Sequence, residues 1–279
     1  MESVRTIIVG AGKAGLALSY YLTQAGHEHL ILERGRVAER WRSERWDSFT
    51  LLSPNWHSRL AGYCYTGPDP DGFMDRSEIV DYLQSYADSF GAPVRSSSEV
   101  TSARRNEVSG RHLVEVNHGE HSFEAENLVV AIGGFQRPHL IPLQSSFPTD
   151  LFQIHTNDYR NPDQLPTGAV LVVGSGTSGQ QIAEELNHSG RRVFLSVGQH
   201  AKLPRRYRGR DIVWWLDATG FFDQTSNAAS ASDRRPSAAL TGVGGGHDLD
   251  LRQLAVDGVQ LLGHLRSVAG NRLEFAPDL

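Results

Sequence analysis

Short apolar runs that end on glycine recur along this chain. Ile7-Ile8-Val9 stops at Gly10, Leu128-Val129-Val130-Ala131-Ile132 at Gly133-Gly134, and Leu171-Val172-Val173 at Gly174. Such runs are too short for helices and lack polar alternation, which fits strands buried on both faces, the habit of parallel sheets. Elsewhere the period changes. Ile79, Val80, Leu83 and Tyr86 share one face of a helix opening at Ser77, with Glu78 in its first turn. Leu113-Val114-Glu115-Val116 and Ser122-Phe123-Glu124-Ala125 alternate on either side of His118-Gly119-Glu120, which predicts an antiparallel hairpin feeding the run at 128–132. Farther on, residues 211–216 form a short amphipathic or buried element, and residues 248–256 read as helix. Residues 258–263 with 272–275 read as a closing hairpin. The fold class is α/β: two Rossmann-like dinucleotide-binding domains, with a small antiparallel β-hairpin element in the first.

The runs at 7–9 and 171–173 open two copies of one unit. Gly10-Ala11-Gly12-Lys13-Ala14-Gly15 matches Gly174-Ser175-Gly176-Thr177-Ser178-Gly179, and at the same offset Gly26 matches Gly190 and Glu33 matches Val197. The first glycine permits a tight turn out of the strand and the second lets backbone N–H groups approach a pyrophosphate. The third lets the helix pack closely on the sheet. Two copies predict two bound dinucleotides, and they differ at the residue that selects the sugar. Glu33 closes the second strand where a carboxylate accepts hydrogen bonds from ribose hydroxyls, favouring FAD or NAD. Val197 offers no acid, and no acid occurs between Glu185 and Asp211. That stretch instead carries Arg191, Arg192, Lys202, Arg205, Arg206, Arg208 and Arg210. A cation there would face a 2′-phosphate, so the second site reads as NADP, with Lys202, Arg205 and Arg206 as its candidates.

Around the first turn, Arg34 follows Glu33, and the segment 40–47 brings Trp41, Arg42 and Trp46 close in sequence. Such side chains can stack on a cofactor and neutralise its charge. Gly133 ends a returning strand where backbone can lie beside a cofactor. His118 and His121 have a metal-like spacing without a Cys or acid cluster around them, so no metal is expected. Residues 242–246 are glycine-rich but follow no apolar strand, which makes them a turn and not a third phosphate site.

Length and charge narrow the function. With 279 residues the chain suits about two domains. The boundaries expected are 1–148 for an FAD-binding domain, 149–166 for a proline-bearing linker and 167–279 for an NADPH-binding domain. A net charge of -5 gives no reason for nucleic-acid binding. The single cysteine, Cys64, cannot form an internal redox pair, which argues against disulfide reduction and fits a reducing cytoplasm. No apolar run has the length of a membrane span. The Ser/Ala-rich stretch 225–239 has little to bury and is expected to be a mobile loop or lid.

These residues resemble the flavin-containing monooxygenases, the class B flavoproteins. The resemblance covers nearly the whole chain: the FAD turn, Glu33, the Trp41-Arg42 and Trp46 segment, the Pro54-Asn55 loop, His155-Thr156-Asn157-Asp158-Tyr159 and the second glycine turn. There are departures. Thr149 and Leu151 stand where the family motif wants Phe and Gly, and Ala131-Ile132-Gly133 lacks a threonine that usually ends the FAD-side strand. Tyr159 stands where Baeyer-Villiger enzymes prefer Trp, which tilts the analogy toward heteroatom or indole-type monooxygenases. Family members also return after the second nucleotide domain to finish the first, and this chain stops at Leu279, so the expectation is that a partner chain or second copy completes the flavin site, or that the polypeptide is a fragment or has a reorganised site.

The resemblance implies hydride transfer from NADPH to FAD. Oxygen transfer would follow, from a C4a-hydroperoxyflavin formed with O2 to a soft nucleophile (nitrogen, sulfur or enol-type carbon) of a small molecule. It places Asn55 at the flavin as the catalytic candidate, and gives His155 and Tyr159 a role in fixing the connection between domains. The alternative is a non-oxygenating FAD/NADP-binding subunit, or an NADPH oxidase fragment needing a partner chain.

Overall fold

Ile7 and Ile8 are fully buried in β1 (Glu2–Val9), the strand on which the first sheet is built. It leads through Gly10 into α1 (Lys13–Gln24) and β2 (His29–Leu32). The short α2 (Glu39–Ser43) and the two-residue strands β3 (Arg59–Leu60) and β4 (Tyr63–Cys64), a tight antiparallel hairpin, follow. Then come α3 (Arg76–Ser89), β5 (Val94–Arg95), β6 (Val100–Arg105), β7 (His112–Val116) and β8 (His121–Val130). The sheet order is β5-β2-β1-β8-β7-β6. Strands β5, β2, β1 and β8 run parallel, while β7 pairs antiparallel with both β6 and β8. The hairpin and the apolar run read separately from the sequence are thus one strand. The first half of β8, His121–Ala125, pairs with β7 on one side, and β8 pairs with β1 on the other from Phe123 to Val130. Ile7, Leu32, Val114, Val116, Phe123 and Ala125 form the core here, each burial worth about 1.5–3 kcal/mol for the larger side chains.

The helix expected from Ser77 begins at Arg76, because Asp75 caps it. The Asp75 side chain accepts the Glu78 N–H at 2.9 Å and the Glu78 carboxylate accepts the Asp75 N–H at 2.9 Å, a reciprocal capping box. Ile79, Val80, Leu83 and Tyr86 are all buried, as their spacing predicted.

The second sheet repeats the scheme with β9 (Val170–Val173), α4 (Thr177–His188) and β10 (Val193–Ser196). A hairpin of β11 (Arg206–Tyr207) and β12 (Arg210–Asp211) runs into α5 (Ile212–Ala218), whose N-cap Asp211 accepts the Val213 N–H at 2.8 Å. Then β13 (Leu240–Thr241) pairs with β14 (His247–Asp248), α6 (Leu251–Val256) follows, and β15 (Gln260–Leu262) joins the parallel order β15-β10-β9. The closing hairpin differs from the sequence reading. β16 (Leu265–Ala269) pairs with β17 (Arg272–Phe275), whereas Gln260–Leu262 is a parallel sheet strand. A three-residue strand is too short to show a period, and Gly270, at φ +59°, supplies the turn that the reading placed earlier. Trp46, Tyr159, Ile182, Leu186, Leu195 and Leu254 are among the residues that close this unit's core.

The computed structural model describes residues 1–135, 137–199, 202–225 and 239–279; most of the expected loop at 225–239 therefore lies outside the described residues. The chain divides into two compact units that interleave in sequence. Met1–Arg45, Trp56–Gly67 and Asp75–Pro138 form the first, and Trp46–Asn55, Pro68–Met74 and His139–Leu279 the second. Among the described residues no helix is long and apolar enough to cross a membrane, and no cluster of potential metal ligands occurs.

Candidate dinucleotide sites

The two glycine turns have the same geometry. Gly10 and Gly174 both take φ +106°, and their N–H groups bond back across the sheet to Leu32 and Ser196 carbonyls at 2.8 and 3.0 Å. A Cβ on Gly15 would stand 2.0 Å from the Gly10 oxygen, and one on Gly179 would stand 1.9 Å from the Gly174 oxygen, so only glycine lets each helix sit this close to its strand. The middle glycines behave oppositely. Gly12 and Gly176 are the N-caps of α1 and α4, no side chain caps either helix, and a Cβ on either would meet nothing within 4 Å. Each helix thus begins with open space in front of its first-turn N–H groups, the arrangement that receives a phosphate.

In the first unit this space belongs to a cavity of about 420 Å³. Gly10, Gly12, Lys13, Ala14, Glu33, Arg34, Trp41 and Gly133 all line it, together with Arg40 and Arg45. Glu33 is buried and oriented by backbone. Its Oε2 accepts the Ala11 N–H at 2.8 Å and its Oε1 the Gly35 N–H at 3.0 Å, which fixes the carboxylate at the end of β2. Arg34 and Arg40 both pair with Glu44, and Arg40 also donates to the Phe135 carbonyl. The Arg45 guanidinium lies 5.2 Å from the Trp41 ring centroid, and burial beside Arg40 lowers its pKa. Arg40 and Arg45 lay within the segment read from the sequence, yet were not singled out, since nothing local separates them from Arg42.

Three expectations need correction. Arg42 turns back to the Val37 carbonyl at 3.2 Å and does not line the cavity. Trp46 is 4 % exposed in the hydrophobic core of the second unit, edge-on to Phe49, and is a packing anchor. The Asn55 amide is bonded inside its own loop: Oδ1 accepts the Met74 N–H at 2.7 Å, Nδ2 donates to the Asp69 carbonyl at 2.9 Å, and the residue is 4 % exposed. It pins residues 68–74 onto the Pro54-Asn55 turn.

In the second unit a cavity of about 360 Å³ opens at the carboxyl ends of β9 and β10, touching Gly174 and Gly198. Ser175 is buried, and its hydroxyl accepts the Gly198 N–H at 3.0 Å, tying the glycine turn to the residues after β10. Thr177, Ser178 and Gly179 form the first turn of α4. Val197, at the place held by Glu33 in the first copy, is buried in the core. The cations expected around it are engaged elsewhere. Arg205 is 2 % exposed: Nε pairs with Asp211 at 2.8 Å, Nη1 donates to the Leu52 carbonyl at 2.6 Å, and the guanidinium lies 4.2 Å from the Phe73 ring centroid. Burial lowers its pKa, opposed by the Asp211 carboxylate. Lys202 pairs with Asp250, whose carboxyl that bond holds below its ordinary range, and Arg206 donates to the Gly245 carbonyl at 3.1 Å. None of the three lines the cavity. Arg191 donates to the carbonyls of Pro162, Leu165, Pro166 and Gly168.

Tyr159 is buried with its hydroxyl 2.6 Å from Glu185 Oε2, while Ser48 donates to Glu185 Oε1 at 2.7 Å. Burial and the Glu185 hydrogen bond push the phenol pKa far up. His155 Nδ1 accepts the Asn157 N–H at 3.2 Å, shaping the same segment. Residues 242–246 are a packed turn, where a Cβ on Gly242 would come within 2.4 Å of the Leu51 oxygen.

Residues 7–224, from the first glycine-ended strand to beyond the second glycine turn, match the family model described as pyridine nucleotide-disulphide oxidoreductase. The chain belongs to this family. By sequence it is similar to proteins named as oxidoreductases and as monooxygenases. It is 39 % identical over 228 residues to an uncharacterized CzcO-like oxidoreductase of Geobacillus kaustophilus, covering 81 % of this chain and 64 % of that one. It is 32 % identical over 207 residues to the probable indole-3-pyruvate monooxygenase YUCCA1 of Arabidopsis thaliana, covering 73 % and 49 %. The chain therefore spans less than two thirds of the length of these relatives. A solved flavin-containing monooxygenase from Stenotrophomonas maltophilia shares the fold with a TM-score of 0.72 at 21 % identity, covering 99 % of this chain and 74 % of that one.

Proposed function

We propose that this chain holds FAD and NADPH and serves an NADPH-dependent flavoprotein monooxygenase acting on a soft nucleophilic atom of a small molecule. The observation that carries the reading is the duplicated turn, with Gly15 against Gly10 and Gly179 against Gly174, each opening a helix without a side-chain cap at the end of parallel strands. A single such turn would serve one nucleotide; two serve a nicotinamide donor and a flavin acceptor.

The residues of the first unit fit FAD. The N–H groups of Lys13, Ala14 and Gly15 would hold its pyrophosphate, Gly12 leaves the space for it, and Glu33 would take the ribose hydroxyls. Arg34, Arg40 and Arg45 add positive charge, and Trp41 an aromatic wall. When bound, FAD supplies the two-electron redox chemistry and reactivity with O2 that no side chain here provides. The N–H groups of Thr177, Ser178 and Gly179 would hold the pyrophosphate of NADPH. The protein's own contribution is binding, orientation and exclusion of water.

The test is to purify the chain, measure bound flavin by its visible absorbance, and follow NADPH and O2 consumption with an amine or sulfide present. The reading expects yellow protein, and NADPH use matched by oxygenated product. A second reading, a non-oxygenating NADPH oxidase or binding subunit, draws on Phe135, 79 % exposed, and Ile132, 41 % exposed, both in the wall of the first cavity. With the cofactor open to water there, the two electrons of NADPH would pass to O2 and give hydrogen peroxide in place of oxygenated product.

A further inference from the structure

The His264 ring lines the cavity of the second unit. That cavity is walled by Val173, Gly174, Ser196 and Gly198 at the carboxyl ends of β9 and β10, by residues 141–143, and by His264 and Leu265 just beyond β15. Among the described residues, His264 is the one ionisable side chain in this wall. The carboxyl end of the second strand of such a unit is where the adenosine ribose of a dinucleotide is read, the place at which Glu33 stands in the first copy.

The side chain is exposed while its backbone is held on every side. Buried Ser196 donates through Oγ to the Gly263 carbonyl at 3.0 Å and accepts the Leu265 N–H at 3.2 Å, bracketing the residue between them. The His264 N–H donates to Asp278 Oδ1 at 3.0 Å, and its carbonyl accepts the Ala276 N–H at 2.8 Å. The ring lies over Gly198, where an added Cβ would stand 3.2 Å from Cε1 and 3.6 Å from Nδ1. A free surface histidine needs none of this anchoring. The effect is to present one imidazole, in a fixed place, beside the end of β10.

We propose that His264 reads the 2′-phosphate of NADPH in this chain, in the place where an arginine clamp was expected. The inference rests on the proposed binding of NADPH by the second unit. Arg205 is buried against Asp211, Lys202 is paired with Asp250, Arg206 donates to the Gly245 carbonyl, and none of them lines the cavity, so among the described residues the imidazole is the ionisable group within it. An imidazole N–H donates to a phosphate oxygen, and the ring adds a charge only when protonated, whereas guanidinium offers a permanent bidentate fork. Val197 and Gly198 bring no carboxylate that would reject the phosphate. The second site therefore prefers NADPH over NADH through a single contact and accepts both.

The experiment is calorimetric titration of the folded chain with 2′,5′-ADP and, separately, 5′-AMP, which differ by the phosphate in question. The wild-type chain should bind 2′,5′-ADP more tightly. His264→Ala should weaken 2′,5′-ADP about tenfold, in line with a hydrogen bond to a charged group, and leave 5′-AMP unchanged. His264→Arg should tighten 2′,5′-ADP alone. A ratio between the two ligands that stays at the wild-type value in both variants overturns the assignment to His264 while leaving NADPH binding intact. Folded wild-type protein that binds neither ligand overturns the NADPH reading and this inference with it.

Discussion

The oxygen of Gly10 occupies the space that a side chain on Gly15 would need, 2.0 Å from the Cβ position. Gly15→Ala must push α1 off β1, at a cost of about 1–3 kcal/mol in stability. Purified G15A should have a lower melting temperature and lose its visible flavin absorbance. Gly179→Ala should do the same to nicotinamide nucleotide binding while leaving flavin content near wild type, since the equivalent contact there is with Gly174.

Gly12 sits in open space with φ -90°, a conformation alanine adopts freely. Gly12→Ala should therefore keep the melting temperature within a degree or two, by about the same margin as other neutral surface changes, and still lower FAD affinity, because the methyl group enters the approach path of the pyrophosphate. A denaturation curve and a flavin titration on one sample separate the two effects. Equal loss of both would assign Gly12 to packing.

Removing the Glu33 carboxylate leaves the buried Ala11 N–H without its acceptor. Glu33→Ala should cost about 1–3 kcal/mol and weaken FAD. Glu33→Gln keeps one acceptor, which can serve the buried Ala11 N–H but not the Gly35 N–H as well, and should recover part of the stability while FAD stays weaker than in wild type. Urea denaturation alongside flavin binding reads the difference.

Arg205→Ala should be strongly destabilising, by about 3–5 kcal/mol, because it strands Asp211 and the Leu52 carbonyl and empties the space over Phe73. Its ratio of NADPH to NADH affinity should match wild type. A specific loss of NADPH binding in folded R205A would return this residue to the nucleotide site.

Tyr82 and Tyr86 have their phenol pKa values pushed up to about 12 by burial, and Tyr159 is shifted in the same direction. A group that holds its proton more tightly when folded contributes stability that is complete below its unfolded pKa, near 10, and is lost as pH rises beyond it. The chain should lose stability progressively from about pH 10 upward, and Tyr159→Phe should show a shallower decline. Unfolding free energies between pH 8 and pH 12 check this.

The paired turns could be read from the sequence because each is local: strand, glycines and helix lie within a few residues, and the physical demands on Gly10, Gly12 and Gly15 are met by neighbours in the chain. The hairpin of β7 and β8 was legible for the same reason. Arg205 was not. Its partner Leu52 is far away in sequence, and nothing in a run of arginines marks the one that folds inward. Trp46 lies in the other unit on the same ground, since proximity to the first turn in sequence does not determine which unit buries a side chain. The role of Asn55 came from the family resemblance, which carries no information on the hydrogen bonds its amide makes within its loop. His264 does not stand out in the sequence because the strand before it reads as half of a hairpin. Read as a parallel strand, Gln260–Leu262 would have placed a histidine just past a carboxyl end, where ligands are met.

Residues 46–55 and 68–74 belong to the second unit although the first surrounds them in the chain. Cutting the gene after residue 138 would thus sever Trp46 from the aliphatic residues that bury it and Leu52 from Arg205, so an expressed C-terminal half should be insoluble or molten. Such a protein resists modular exchange: recombination at that junction would trade half a core for a stranger's, and both nucleotide folds must be inherited as a pair.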